Sequence, residues 1–144
     1  MGESSKSRKG TSWEHVYRIF KRVAEQWAQD RVAKGLSSGE GLIWEVRDPI
    51  TKLVKDKESG EYQEEISDAG VADKRLTIVE NEFANVLKVM ARQGSTLSPV
   101  IRSAWDDGNL RAMTKNSSTR ATGAHVSIIG QWPLSLGPMG STNL

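Results

Sequence analysis

Arg75-Leu76-Thr77-Ile78-Val79-Glu80-Asn81-Glu82 is a short run of aliphatic and β-branched residues that ends in two carboxylates. A helix-forming segment follows from Phe83 to Arg92, with Phe83, Val86, Leu87 and Met90 on one face. Such an order predicts a central strand of an open α/β sheet over 76–79, its C-terminal edge carrying acids. A plainer reading of the same acids makes Asn81 the cap of the next helix and places Glu82 in its first turn.

The rest of the chain is organised around that strand. Ala124-His125-Val126-Ser127-Ile128-Ile129-Gly130 is a second β-branched run ending in glycine. The distance between the two runs leaves room for helices, as parallel pairing requires. One of these helices is outlined by Leu97, Val100, Ile101, Ala104 and Trp105, and Asp106-Asp107-Gly108 forms a turn after it. Leu110 to Thr114 is a candidate strand, either an antiparallel partner of 125–129 or an edge of a mixed sheet. Upstream, Trp13, Val16, Tyr17, Phe20, Val23, Ala24, Trp27 and Ala28 predict one helix from about Trp13 to Lys34, with Thr11 and Glu14 at capping-box spacing and Gly35 as the stop. Ser37 or Ser38 caps a short helix running to about Arg47, which Pro49 ends. Residues 50–75 are crowded with charge and read as a solvated excursion or hairpin. The expected fold class is α/β: an incomplete three-layer domain with a small mixed sheet over 1–130, followed by a Gly/Pro/Ser-rich tail over 131–144.

Composition narrows the chemistry. The 144 residues match one domain, and the net charge of +2 permits a nucleic-acid partner without demanding one. No cysteine is present, so disulfides, thiolate metal sites and cysteine nucleophiles are excluded, and a cytoplasmic location is the expectation. His15 and His125 stand alone, which does not suggest zinc. No apolar run is long enough for a membrane span.

Three segments carry candidate chemistry. Met1 to Ser12 is rich in small residues and ends in Arg8-Lys9-Gly10-Thr11-Ser12 before a helix, the arrangement in which backbone N–H groups, a cation and a helix N-terminus converge on phosphate. The usual spacing of glycine, four residues, glycine, lysine and hydroxyl is absent, and a basic N-terminus ending in a helix cap is the alternative. Thr11 either caps the helix or meets a phosphate or magnesium. Glu40, between Gly39 and Gly41, suits a water-orienting base and equally a first-turn acid. Acids placed like Glu80 and Glu82 handle magnesium and water in P-loop enzymes. Arg111, Lys115 and Arg120 flank a hydroxyl-rich loop without carboxylates, suited either to a phosphate backbone or to plain solvation.

The runs 2–12, 35–43, 75–84 and 103–108, with Lys115-Asn116-Ser117 and Arg120 through Gly130, resemble a poorly characterised P-loop NTPase family of bacterial, phage and mobile-element proteins. Its members often accompany primase-polymerase modules, and their fold is similar to the RecA-like replicative helicases. The resemblance covers about residues 2–130. It implies a partial RecA-like P-loop NTPase domain that binds ATP or a related nucleotide with magnesium and hydrolyses it in support of DNA replication or mobile-element maintenance.

By position, Arg8, Lys9, Gly10, Thr11 and Ser12 resemble the family's atypical phosphate loop, with Thr11 or Ser12 touching the metal. Glu80 resembles its metal-associated acid, Glu82 lies just beyond, and Glu40 resembles a water-orienting acid. The strand through Ile129 resembles the one that carries a polar sensor. The chain departs from the family after Gly130, where it reads as a linker, tag remnant or frame-shifted end. It also has only Met1 before Gly2, where the family's phosphate loop is entered by a strand. The implied partners are therefore nucleotide, single-stranded or duplex DNA, and either a homo-oligomer or the missing part of the parent domain. A fragment of this kind is expected to bind weakly and turn over little. The alternative is a non-catalytic nucleic-acid-binding or assembly module.

Overall fold

The computed structural model describes residues 9–57, 60–113 and 119–131, and the side chains of 9–11 lie outside that description. Helix α1 (Lys9–Val23) and helix α2 (Glu25–Asp30) are followed by strand β1 (Val32–Ala33) and helix α3 (Gly39–Glu45). A hairpin of β2 (Ile50–Lys55) and β3 (Tyr62–Asp68) leads into β4 (Arg75–Glu80), α4 (Phe83–Met90) and α5 (Leu97–Asp106). A short pair, β5 (Leu110–Arg111) and β6 (Arg120–Ala121), precedes β7 (His125–Gly130).

Three strands form a parallel sheet in the order β1-β4-β7. Arg75 to Glu80 run in unbroken register with His125 to Gly130, so the two runs expected to be neighbours are neighbours. Leu76 and Ile78 enter the core with Leu42, Ile43 and Val46 from α3 and its C-terminus, Val100 from α5, and Leu110. Thr77 and Val79, on the opposite face, are also buried. Burial on both faces explains why this strand reads as a continuous apolar run.

Several elements differ from expectation. The helix expected to reach Lys34 breaks at Ala24 and ends at Asp30, and Val32–Ala33 is a strand. The break lets the two halves fold on each other: the Tyr17 hydroxyl donates to the Ala28 carbonyl at 3.0 Å, and the Phe20 and Trp27 rings meet at 5.1 Å. Eleven residues of straight helix would separate Tyr17 from Ala28 by about 16 Å. Arg31, buried, then donates to the carbonyls of Arg75 and Glu45, fixing the start of β1 against β4 and α3. Because α1 already runs at Lys9, Thr11 lies inside its first turn and the capping-box placement fails. Much of the apolar face of α1 remains in water, with Ile19 62% and Val23 74% exposed.

Of the strand expected over 110–114, Leu110–Arg111 is a strand and 112–113 are not, Thr114 lying outside the described residues; its antiparallel partner is β6, not β7. The antiparallel strands thus lie in separate two-stranded pairs outside the parallel sheet. Within the charged stretch 50–75, expected as a solvated excursion or hairpin, β2 and β3 form a hairpin exposed along both strands except at its base. Salt bridges fasten that base. Arg47 meets Asp68 at 3.0 Å, and Lys74 donates to the carbonyls of Val46 and Arg47 and to Asp48.

Candidate functional site

Parallel strands bring their carboxyl ends to one edge, and in open α/β sheets that edge is where ligands bind. Here the edge holds Glu80 at the end of β4, the turn from β1 into α3, and Gly130 at the end of β7. The half-buried Glu80 accepts a 2.5 Å hydrogen bond from the Leu36 N–H through Oε1, tying β4 to the loop after β1. Its carbonyl accepts from the Gln131 N–H, and the Gln131 carbonyl accepts from the Phe83 N–H, closing the turn from β4 into α4 against the end of β7. A Cβ at Gly130 would sit 2.7 Å from the Phe83 ring, so only glycine permits this approach.

The turn Lys34-Gly35-Leu36-Ser37-Ser38 connects a strand to a helix, a unit missed by the sequence reading because Val32 and Ala33 continued the helical spacing. Ser38 is the cap of α3, its Oγ accepting from the Gly41 N–H at 3.0 Å. Glu40, exposed in the first turn of α3, accepts from the Thr96 hydroxyl through Oε2 at 2.8 Å, which links α3 to the start of α5. With the Glu80 carboxylate on Leu36 N–H and Ser38 Oγ on Gly41 N–H, this turn already spends donors on the protein itself. A cleft of about 160 Å³ lies against it, lined by Lys34, Ser37, Ser38, Gly41 and Glu45 among others. A larger groove of about 490 Å³ runs beside Val126, Ile128, Ile101 and Trp105, and neither Glu40 nor Glu80 lines it or the smaller cleft.

Glu82, not Asn81, occupies the cap position of α4, and its side chain makes no capping bond; Oε2 accepts instead from the Asn85 side-chain amide at 2.8 Å. Glu40 and Glu80 therefore share the carboxyl edge by topology, while each is bonded to a different neighbour. Arg8 lies outside the described residues. Lys9, Gly10 and Thr11 form the first turn of α1, and Ser12 follows as an exposed residue. The described packing of α1 is against α2.

Arg111 and Arg120 stand directly opposite each other in the β5–β6 pair, and both are exposed. Arg120 reaches Asp48 at 3.7 Å, while Lys115 lies outside the described residues. Asp48 also accepts from the Thr122 N–H and hydroxyl. Partial burial would raise its carboxyl, but the hydrogen bonds from Lys74 and Thr122 outweigh that and hold it below its ordinary value.

Among the described residues no group of three or more His, Cys, Asp or Glu side chains is placed to hold a metal ion. No helix among them is long and apolar enough to cross a membrane. No protein-family model matches the chain, and no curated protein matches it significantly.

Proposed function

We propose that the chain carries part of a nucleotide site, and that the intact protein binds ATP or a related nucleotide with magnesium and hydrolyses it within a RecA-like P-loop domain. The observation that carries this reading is Glu80, an acid at the carboxyl end of the central strand of a parallel sheet, beside a strand–turn–helix unit. Lys9 and Arg8 would neutralise phosphates. The N–H groups of Lys9, Gly10 and Thr11 belong to a first helical turn, where no acceptor exists within the helix. Thr11 or Ser12 and Glu80 would hold magnesium, and Glu40 or Glu82 would orient the attacking water. One carboxylate and one hydroxyl suit magnesium, which keeps several waters and takes further oxygens from the phosphates. The test is calorimetry with a non-hydrolysable ATP analogue. In the intact protein Lys9→Ala abolishes binding, and Glu80→Gln removes its dependence on magnesium. Unchanged affinity in Lys9→Ala overturns the assignment, and the 144-residue chain is expected to bind weakly.

A second reading, a nucleic-acid-binding module, is favoured by one specific observation. Arg111 opposite Arg120 places two like charges in direct cross-strand register, and although Asp48 lies 3.7 Å from Arg120, Arg111 is exposed beside it for a phosphate to meet. Titration with single-stranded DNA at several salt concentrations tests this. Each neutralised phosphate steepens the logarithmic salt dependence by about 0.7. Equal binding after replacement of Lys115 and Arg120 removes the footprint.

A further inference from the structure

We propose that the β2–β3 hairpin is a head-to-tail self-association surface, the basic edge β2 of one copy pairing with the acidic edge β3 of the next. β2 and β3 form a two-stranded sheet of their own, so each has an outer edge whose backbone groups are open to another strand. Charge is divided between them. Strand β2 holds Lys52 and Lys55 and no acid, whereas β3 holds Glu64, Glu65 and Asp68 and no base. Asp68 is taken by Arg47, but the side chains of Lys52, Lys55, Glu64 and Glu65 form no ion pair among the described residues.

The register adds an apolar component. Thr51 pairs with Ile66, Leu53 with Glu64 and Lys55 with Tyr62, which places Leu53, Tyr62 and Ile66 on one face of the hairpin. These three side chains are 68%, 69% and 65% exposed. A hairpin placed alongside in the same orientation continues the antiparallel alternation, so this face extends from one copy to the next.

Charge selects the pairing. Joining β2 to β2 opposes lysines, and joining β3 to β3 opposes glutamates, whereas the unlike edges bring Lys52 and Lys55 beside Glu64 and Glu65. An interface made of two different surfaces closes into a ring or runs into an open chain rather than stopping at a two-fold dimer. Nucleic acid fits this hairpin poorly, because residues 50–68 carry three lysines against six carboxylates.

Sedimentation velocity on the full chain tests the proposal. Expected are species larger than a monomer at low ionic strength, with association weakened about tenfold or more between about 0.05 M and about 0.5 M salt. The double variants K52E/K55E and E64K/E65K each lose association by at least about tenfold, since every junction then opposes like charges. Mixing the two variants restores it, because each now supplies the edge the other lacks. That recovery also shows that both variants are folded. A chain that stays monomeric at low salt overturns the proposal, as do variants that still associate or a mixture that stays monomeric. Binding of a single-stranded oligonucleotide that is lost in K52E/K55E also overturns it, marking the hairpin as a nucleic-acid arm.

Discussion

Strand β4 and the β2–β3 hairpin are both built from short runs containing β-branched residues, yet they have opposite fates. In β4 the residues Leu76, Thr77, Ile78 and Val79 are all buried, because neighbouring strands hold both edges and other elements cover both faces. In the hairpin Leu53, Val54, Tyr62 and Ile66 are all exposed, and among the described residues its strands pair only with each other. Strand propensity is common to both. What separates them is the charge density around each run, which decides whether a second layer can be laid on top.

The largest test of this contrast is Leu76→Ala. Leu76 is buried at the centre of the core, and its truncation is expected to cost about 2–5 kcal/mol in denaturant unfolding, as large-to-small core changes do. A cost near zero there would mean that the sheet is not the stabilising layer.

Glycines give the next contrast. Gly108 has φ +71°, and a Cβ there would run into the Ala124 carbonyl oxygen, so Gly108→Ala meets both backbone strain and a clash. We expect a loss of about 1–3 kcal/mol. Gly60, in the hairpin, has φ +73° and open space around it, so Gly60→Ala is expected to cost only about 1–2 kcal/mol from the backbone. Comparing the two melting curves separates packing from conformation.

Acid titration probes the anchors between the two regions. The Arg75 side chain, and then the Arg75 N–H, hold the Asp73 carboxyl down to about 2 from its ordinary 3.8. Its folded-state value is depressed, so its contribution is fully present above about pH 4 and is lost as the pH falls toward about 2. Asp68, held below its ordinary value by Arg47 and by the Gly70 N–H, loses its contribution in the same direction at the base of the hairpin. Asp73→Asn is expected to flatten the acid limb of the stability–pH curve; an unchanged limb would show that this pair contributes nothing in solution.

The smallest effect belongs to Leu53→Ala, within about 0.5 kcal/mol for the isolated chain, since that side chain leaves little water on folding. A larger loss at high protein concentration than at low would locate Leu53 in an interface between copies.

Much of the architecture was legible in the residues. The run 75–80, the run 125–130, the helix that Ser38 caps and the charged hairpin all declare themselves through local composition and spacing. Glu80 and Glu82 stand out in the same way, as acids at the end of an apolar run, and Glu40 by its place between two glycines. Other features depended on contacts between distant segments. Val32 and Ala33 have helical spacing, and only pairing with Thr77 and Ile78, with Arg31 bonded across to Arg75 and Glu45, makes them a strand. The break at Ala24 answers to Tyr17 reaching Ala28, and Leu110 and Arg111 pair with β6, while β7 joins the parallel sheet beside β4. The chain itself thus determined which segments are apolar enough to be buried and which charges stay in water. Tertiary structure decided who pairs with whom and which donor each carboxylate receives: Leu36 for Glu80, Thr96 for Glu40 and Asn85 for Glu82. Hydrophobic periodicity is a local property, whereas strand partners and hydrogen-bond partners are chosen by whatever the fold brings within about 3 Å.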